Sequence, residues 1–473
     1  MSEKKQKKKI YKPTPISGFP EWLPEVRKAE QAWFDHIRRV FESYGFCNIE
    51  TPSVETLDAI NAKGGDGGAD VDKEVYVLER LHKEENDKDT RLALHFDQTV
   101  PFARYTAQHF NDLIFPFKRY QIQRVWRGER PQAGRFREFY QCDIDVINVD
   151  TLPLHFDAEM PAIIWETLSS LPGMENEKFV IRISNRKILM GMLENIGITD
   201  DETITHVTRC IDKLEKIGYE KTIEQIGSLD FIDQNPNSGL CCNETMQGII
   251  SIVNFCGNGR FFNSDDLRDA FTDAPDIDSS NETLQDGIKE LSFILDQLTH
   301  LPKGSVAADL RIVRGLDYYT GTVYETVFAN DVNYGSICSG GRYDDLAGNY
   351  IKKHLPGVGI SIGFSRLFDR IRTQGKLPSS GVSPADVLVV LWDEDKRDEM
   401  NKTAQALRAS GHNVETFHSS SKLKRQLAYA EKKGIPYVWF PPFDDDSQHE
   451  VKKMDQETGY QKPASPHDWK KDD

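Results

Sequence analysis

The chain reads as an α+β protein: a core built on an antiparallel sheet, a helical insertion within it, and a small C-terminal α/β domain. Three observations lead there. Strand-like runs at Tyr120–Trp126 and Phe139–Asn148 flank a Pro-Gln-Ala-Gly turn, the pattern of two antiparallel strands joined by a loop. From about 187 to 300 the texture turns helical, with acidic breaks such as Thr272–Ser280. Beyond a Gly-, Ser- and Pro-rich linker at Thr373–Pro384, strands and helices alternate. At 473 residues the chain exceeds what one core can fill. The expected domains are therefore 1–186 and 303–376 for the core, 187–302 for the insertion and 383–473 for the C-terminal unit.

In chain order, Trp33, Ile37, Val40, Phe41 and Tyr44 form one stripe of a helix that Gly45 can end. A strand over Cys47–Thr51 stops at Pro52. Residues 61–70 are too glycine-rich to order themselves and read as a mobile loop near a site, or simply as a surface loop. Arg91–His95 is a strand leading into FDQTVPFARY, and Phe179–Ile183 is another. Strands return at Ala308–Arg314 and Gly321–Phe328, followed by SGGRYDD (339–345), read as a turn. Glycines 357, 359 and 363 mark a strand open to close approach, ahead of a helix over Phe364–Arg372. In the last domain the strands are Ala385–Leu391, Asn413–Phe417 and Ile435–Phe440. The helices between them are Lys396–Ser410 and Lys422–Lys433.

Composition excludes several classes. Hydrophobic residues are 38% and charged residues 28%, ordinary for a soluble enzyme, and no apolar stretch approaches a membrane span. The net charge of −16 rules out whole-surface binding of nucleic acid and leaves only local basic patches. Seven scattered cysteines without CxxC spacing argue against a zinc site or disulfide framework and fit a reducing cytosol. The Lys4–Lys9 run reads as a disordered solubilising arm, with an RNA-binding arm the alternative.

The richest segment is FKRYQIQRVWRGERPQAGRFREFYQCDID (117–145). Arg127, Arg130, Arg135 and Arg137, with Glu129 and Glu138, crowd a short loop. Arginine forks bind phosphate oxygens bidentately and stay charged, so a nucleoside triphosphate suits the loop. The same charges would also pair with one another in a solvated hairpin. In FDQT (96–99), an extended backbone would put Asp97 and Thr99 on one side, fit for an ammonium group; a turn or helix cap is the plainer reading. Gln141 and Asp145 share a strand face. RGLDYYTG (314–321) adds Arg314, Asp317, Tyr318 and Tyr319, and Arg366 ends the glycine-lined strand.

These segments together resemble a known family. RGERPQAGRFREF is similar to motif 2 of the class II aminoacyl-tRNA synthetases, the first helix with Thr51–Pro52 to motif 1, and GISIGFSRL to motif 3. LHFDQTVPFARY, VRGLDYYTG and SGGRYDDL resemble segments peculiar to the histidine–tRNA ligases. The likeness runs in order from about residue 14 to 440 and implies the class II fold with a C-terminal anticodon-binding domain. It implies ATP and L-histidine as substrates, tRNA(His) as partner, no membrane, and a homodimer formed through motif 1. Asp97, Thr99 and Gln141 would hold the α-ammonium group; Asp145 and Tyr319, with Tyr318 beside them, would read the imidazole. Arg127 would contact the α-phosphate and the histidine carboxylate. Glu129, Arg135 and Arg366 would bind ATP, with Phe139 on adenine and Arg314 as the catalytic arginine. Mg2+ would come with the ATP phosphates, without a protein cage. Arg130 and Gln132 would face the acceptor end of tRNA, and the basic face of Lys422, Lys424 and Arg425 the anticodon side, although such a face alone is more often a solvated helix. A non-catalytic regulatory paralogue is the main alternative. Two departures stand out: Ser365 where motif 3 often carries an acidic residue, and PPFDDDSQHE (441–450) after the last expected strand.

Overall fold

The computed structural model describes residues 11–61, 74–80, 91–132, 134–227, 242–274, 277–313, 319–345, 347–378, 381–444, 446–454 and 461–471. The chain divides into two compact units, one of residues 1–20 with 34–376 and one of residues 21–33 with 377–473.

The strands of the first unit are β1 (Cys47–Asn48), β2 (Val54–Thr56), β3 (Val77–Leu78), β4 (Leu92–Leu94), β5 (Phe117–Trp126) and β6 (Glu138–Ile147). They continue with β7 (Phe179–Asn185), β8 (Arg260–Phe261), β9 (Val306–Asp309), β10 (Thr322–Phe328), β11 (Cys338–Tyr343) and β12 (Gly357–Ile362). Nine of them, among the described residues, form one sheet in the order β1-β5-β6-β12-β11-β10-β7-β9-β8. Its middle, from β5 to β7, is antiparallel throughout. β1 joins β5 and β9 joins β7 in parallel, so the antiparallel sheet expected from the hairpin becomes a mixed one at its flanks. β2, β4 and β3 make a separate small sheet.

One face of the large sheet is apolar. Cys142, Ile144 and Val146 of β6 and Val358, Ile360 and Ile362 of β12 are all buried there. The long helix Pro24–Ser43 contributes Phe34, which stacks on Phe364 at 4.1 Å between ring centres, and Phe41, 6.0 Å from Tyr120. The expected stripe is buried at Trp33, Ile37, Val40 and Phe41, and Gly45, at φ 80°, follows the helix end. The helix Phe364–Thr373 lies against β6, where the Ser365 hydroxyl accepts the Tyr140 N–H at 2.8 Å. The serine at the motif 3 departure thus ties the helix to the strand.

Two expectations are corrected. SGGRYDD is no turn: Cys338–Tyr343 is an interior strand paired on both sides. Its glycines stand there because neighbours approach closely, not because the backbone turns. Arg342 of this strand grips the buried Asp157 of helix His155–Ser169 through Nε and Nη2. The second correction is local. β4 ends at Leu94, and the helix Thr99–Gln108 begins almost at once, so Asp97 and Thr99 do not alternate along a strand. Asp97 Oδ1 instead accepts the N–H groups of Thr99 (3.0 Å) and Val100 (3.1 Å), capping the helix start. The glycine-rich stretch 62–70 and Arg314–Tyr318 lie outside the described residues.

Between β7 and β9 the described chain is almost wholly helical, from Arg186–Asn195 to Glu282–Gln297. The second unit carries β13 (Val387–Val389), β14 (Val414–Thr416), β15 (Tyr437–Phe440), β16 (Glu450–Lys453) and β17 (Lys462–Pro463), in the order β14-β13-β15-β16-β17. β16, which begins at the end of PPFDDDSQHE, pairs antiparallel with β15, and β17 pairs antiparallel with β16, extending the sheet on that side. Helices Arg397–Ala409 and Leu423–Lys433 cover opposite faces of it.

Candidate active site

The motif 2 hairpin supplies the frame. β5 and β6 pair over ten residues each, from Phe117↔Ile147 to Trp126↔Glu138. The backbone of the connecting loop is tied down by hydrogen bonds. Arg137 and Glu138 donate to the Gly18 carbonyl at 2.8 and 3.1 Å, Gly128 donates to that of Glu74 at 2.7 Å, and Gln132 and Arg135 bond each other.

Beside it lies a cavity of about 270 Å³ lined by Arg127, Glu129, Arg135, Phe139, Gln141 and Arg366, among others. Five of these six came from motifs 2 and 3 as ATP ligands, and Gln141 came from the amino-acid set. Arg127 lies over the rings of Phe96 (4.3 Å) and Phe139 (5.3 Å), which fixes the height of its guanidinium. Glu129 faces both Arg127 (3.9 Å) and Arg135 (3.4 Å). The loop charges thus pair with one another, as the plainer reading foresaw, at distances long enough to be exchanged for phosphate. Arg366 donates to the carbonyls of Tyr334 and Ser336 and lies 4.9 Å over the Tyr334 ring.

The floor is the polar face of the sheet. Side chains alternate along strands, and register then aligns rows across them. One row runs Gln121, Asp143, Ser361, Ser339, Glu325, Arg182 across six strands. The next row runs Arg119, Asp145, Gly359, Gly341. Two glycines facing each other there leave the space that neighbours fill. A side chain at Gly359 would run into the Asp145 carboxylate, and one at Gly341 would come within 2.7 Å of the Tyr319 ring. Asp145 and Tyr319, predicted to read an imidazole, are thus set side by side on a glycine floor.

Asp145 is buried and held by Arg119 at 2.5 Å and by the Tyr343 hydroxyl at 2.9 Å. Burial pushes the Tyr319 phenol well up, and the carboxylates of Asp145, Asp143 and Asp97 add to it, so Tyr319 keeps its proton as a donor. Asp143 is pushed up to about 7, first by burial; Arg119 and a Ser361 hydrogen bond oppose the rise, while Asp145 and Asp97 add to it. The buried Gln98 spans the hairpin, donating to the carbonyls of Gln123 (3.1 Å) and Gln141 (3.0 Å). Three buried acceptors have no partner among the described residues: Gln98 Oε1, Gln141 Oε1 and Asp143 Oδ1. Such groups ask for donors that a ligand can bring.

Not every expected residue gathers here. Thr99 sits at the first turn of its helix, outside the cavity lining. Arg130 and Gln132 are exposed on the loop, away from the cavity lining. Lys422, Lys424 and Arg425 are exposed in the second unit, on and just before helix Leu423–Lys433, while Lys433 is paired with Glu415 at 2.8 Å. Arg314 and Tyr318 are outside the described residues. The sequence reading passed over Arg119, Gln121, Asp143 and Ser361. The signal was available: polar residues fall at every second position of Arg119–Gln123 and Gln141–Asp145.

The comparisons agree with this geometry. Residues 18–367 match the family model described as histidyl-tRNA synthetase, and residues 386–460 match that of an anticodon binding domain. The chain is 50% identical to "Histidine--tRNA ligase" of Thermobifida fusca (strain YX) over 466 residues, 98% of this chain and 99% of that relative. A crystal structure of histidyl-tRNA synthetase from Nostoc sp. PCC 7120 superposes with a TM-score of 0.80 at 37% identity, covering 97% of both chains. A structure described as an ATP phosphoribosyltransferase regulatory subunit/histidyl-tRNA synthetase from Bacillus halodurans C shares the fold alone, at TM-score 0.68 and 19% identity over 89% of this chain and 97% of that one. The regulatory paralogue is therefore not favoured. With its motifs, its sheet and its sequence in agreement over nearly the whole length, the chain belongs to the histidyl-tRNA synthetase family.

Proposed function

We propose that the chain joins L-histidine to tRNA(His) in two steps. In the first, a histidine carboxylate oxygen attacks the α-phosphorus of ATP; the bond to the β-phosphate oxygen breaks, and diphosphate leaves. In the second, a ribose hydroxyl at the tRNA 3′ end attacks the adenylate carbonyl and AMP leaves. Both reactants of the first step are anionic, so positioning and charge neutralisation carry most of the catalysis. Arg127 lines the cavity and would be the guanidinium to bridge carboxylate and α-phosphate. Arg135, Glu129 and Arg366 would hold the nucleotide, with adenine against Phe139. Arg314 would act at the α-phosphate beside Arg127.

In the histidine pocket, Asp145 as acceptor and Tyr319 as donor match the two imidazole nitrogens, with Tyr318 near them. Asp97, Thr99 and Gln141 would take the ammonium group. Mg2+ would arrive on the ATP phosphates and add positive charge there. Among the described residues no cluster of three or more acidic, His or Cys side chains is ready to cage a metal, so Glu129 is the cavity carboxylate nearest to that role. Arg130 and Gln132 would meet the acceptor end, and Lys422, Lys424 and Arg425 the anticodon side. The helices 187–302 would form an inserted module supporting tRNA, between the core segments 1–186 and 303–376, with 383–473 as the anticodon-binding domain. No helix among the described residues is long and apolar enough to cross a membrane, and a cytoplasmic homodimer is the form we infer.

The observation that carries the reading is the pairing of Asp145 with Tyr319 on a glycine floor next to an arginine-lined cavity. ATP–diphosphate exchange with each amino acid in turn tests it. Histidine alone should support exchange, and Arg314→Ala should abolish it while histidine binding persists. Exchange driven by another amino acid would reassign the substrate, and light scattering that gives a monomer at micromolar concentration would remove the dimer.

A further inference from the structure

Two polar groups on the sheet have no role in the reading above: the buried Asp143 of β6 and the half-buried Ser361 of β12. They are direct cross-strand partners, which sets their β-carbons about 5 Å apart. The Ser361 hydroxyl lies close enough to the Asp143 carboxylate to favour its charge, and it accepts the Nε2–H of Gln141 at 2.8 Å. A hydroxyl has one proton to give. Once that proton is turned to the carboxylate, only lone pairs remain for Gln141, which must offer its NH2 side. Its carbonyl oxygen then faces away from Ser361. That oxygen is buried and has no partner among the described residues, on a residue that lines the cavity.

We propose that Asp143 and Ser361 form a positioning relay that locks the Gln141 amide with its oxygen toward the cavity, as the acceptor for the ammonium group of the amino acid. The inference rests on the histidine-activating reading and adds two residues to it. Neither acts on the reacting atoms. A neutral carboxamide at position 143 can donate an N–H to Ser361 as well as accept from it, so the Ser361 proton is no longer held by a carboxylate and can turn to Gln141, whose oxygen swings toward it. The Gln141 NH2 group would then point at the incoming ammonium, donor against donor.

Four full-length proteins test the relay in histidine-dependent ATP–diphosphate exchange: the unaltered chain, Asp143→Asn, Ser361→Ala and Ser361→Thr. Asp143→Asn should raise KM for histidine about tenfold or more, with KM for ATP within about twofold of the unaltered chain. Ser361→Ala should raise it less, since the amide is then free rather than reversed. Ser361→Thr keeps the hydroxyl and should stay close to the unaltered value. A histidine KM unmoved by Asp143→Asn would overturn the relay, and so would equal rises in both KM values. If Asp143→Asn does not fold, the Ser361 pair decides: loss in Ala with retention in Thr supports the relay, and equal behaviour overturns it. Failure of the functional reading shows separately, as no histidine-dependent exchange in the unaltered chain.

Discussion

The two sheets of this protein use their faces in opposite ways. In the second unit, β13 and β15 are apolar on both sides. Val387, Val389 and Trp439 pack under Met400, Ala404 and Leu407, while Leu388, Val390 and Val438 pack under Ala430 and Phe417. In the first unit the sheet has one apolar face and one on which Arg119, Asp143, Asp145, Ser361 and Glu325 are buried or partly buried together. A sheet covered on both sides is a scaffold, and its interactions with other molecules fall to its helices and rims. A sheet with a buried polar face is itself a site, because groups kept from water retain strong fields and need partners.

Substitutions can break that contrast from either side. The largest effect should come from Trp439→Ala, which empties a fully buried position and costs about 3–5 kcal/mol. Aminoacylation of tRNA should be lost while ATP–diphosphate exchange stays within about twofold; exchange lost in parallel would show that the two units do not act separately. Next is Gly359→Ala. The added methyl meets the Asp145 carboxylate, an overpacking of about 1–3 kcal/mol that should appear as a rise in KM for histidine of about tenfold or more. A normal KM would mean that the glycine floor does not set the pocket.

The triple change Lys422→Ala, Lys424→Ala, Arg425→Ala removes exposed cations only. It should weaken tRNA binding and flatten its salt dependence by about two units of log–log slope, leaving exchange unchanged. An unchanged salt slope would move the RNA contact elsewhere. The smallest effect concerns Ser365→Ala, which deprives the Tyr140 N–H of its acceptor and should cost about 1 kcal/mol of stability in denaturant unfolding.

Acidity sharpens the same contrast. Burial raises Asp143 from an ordinary 3.8 to about 7, so the native state holds this proton more tightly than the unfolded chain. Its contribution to stability is full below about pH 4 and is lost as pH rises through about 7. The unaltered chain should therefore lose more melting temperature between pH 5 and 8 than Asp143→Asn does. Equal losses would mean that Asp143 is not the group that titrates.

Much of the architecture was legible along the chain. The alternation of Arg119–Gln123 and Tyr140–Ile144 marks strands whatever they pack against, and the continuous apolar run Val387–Leu391 marks a strand covered on both faces. The ordered motifs, the arginine loop and the family they resemble follow from residue identity alone. Cys338–Tyr343 misled because glycine speaks first for a turn, and only a neighbour overhead gives it another reason. Asp97 misled because two residues cannot show whether a backbone is extended or about to enter a helix.

What the sequence determined by itself, then, is local: periodicity, turn chemistry and a set of charged groups suited to phosphate. The tertiary structure alone decided which of those groups meet. Gln141 and Ser361 lie 220 residues apart and share a hydrogen bond, and Gly341 and Gly359 face each other across a strand boundary. Register is the reason. A slip of one residue between two strands turns every side chain to the opposite face, and that choice is made by the packing of the whole sheet, not by any one strand.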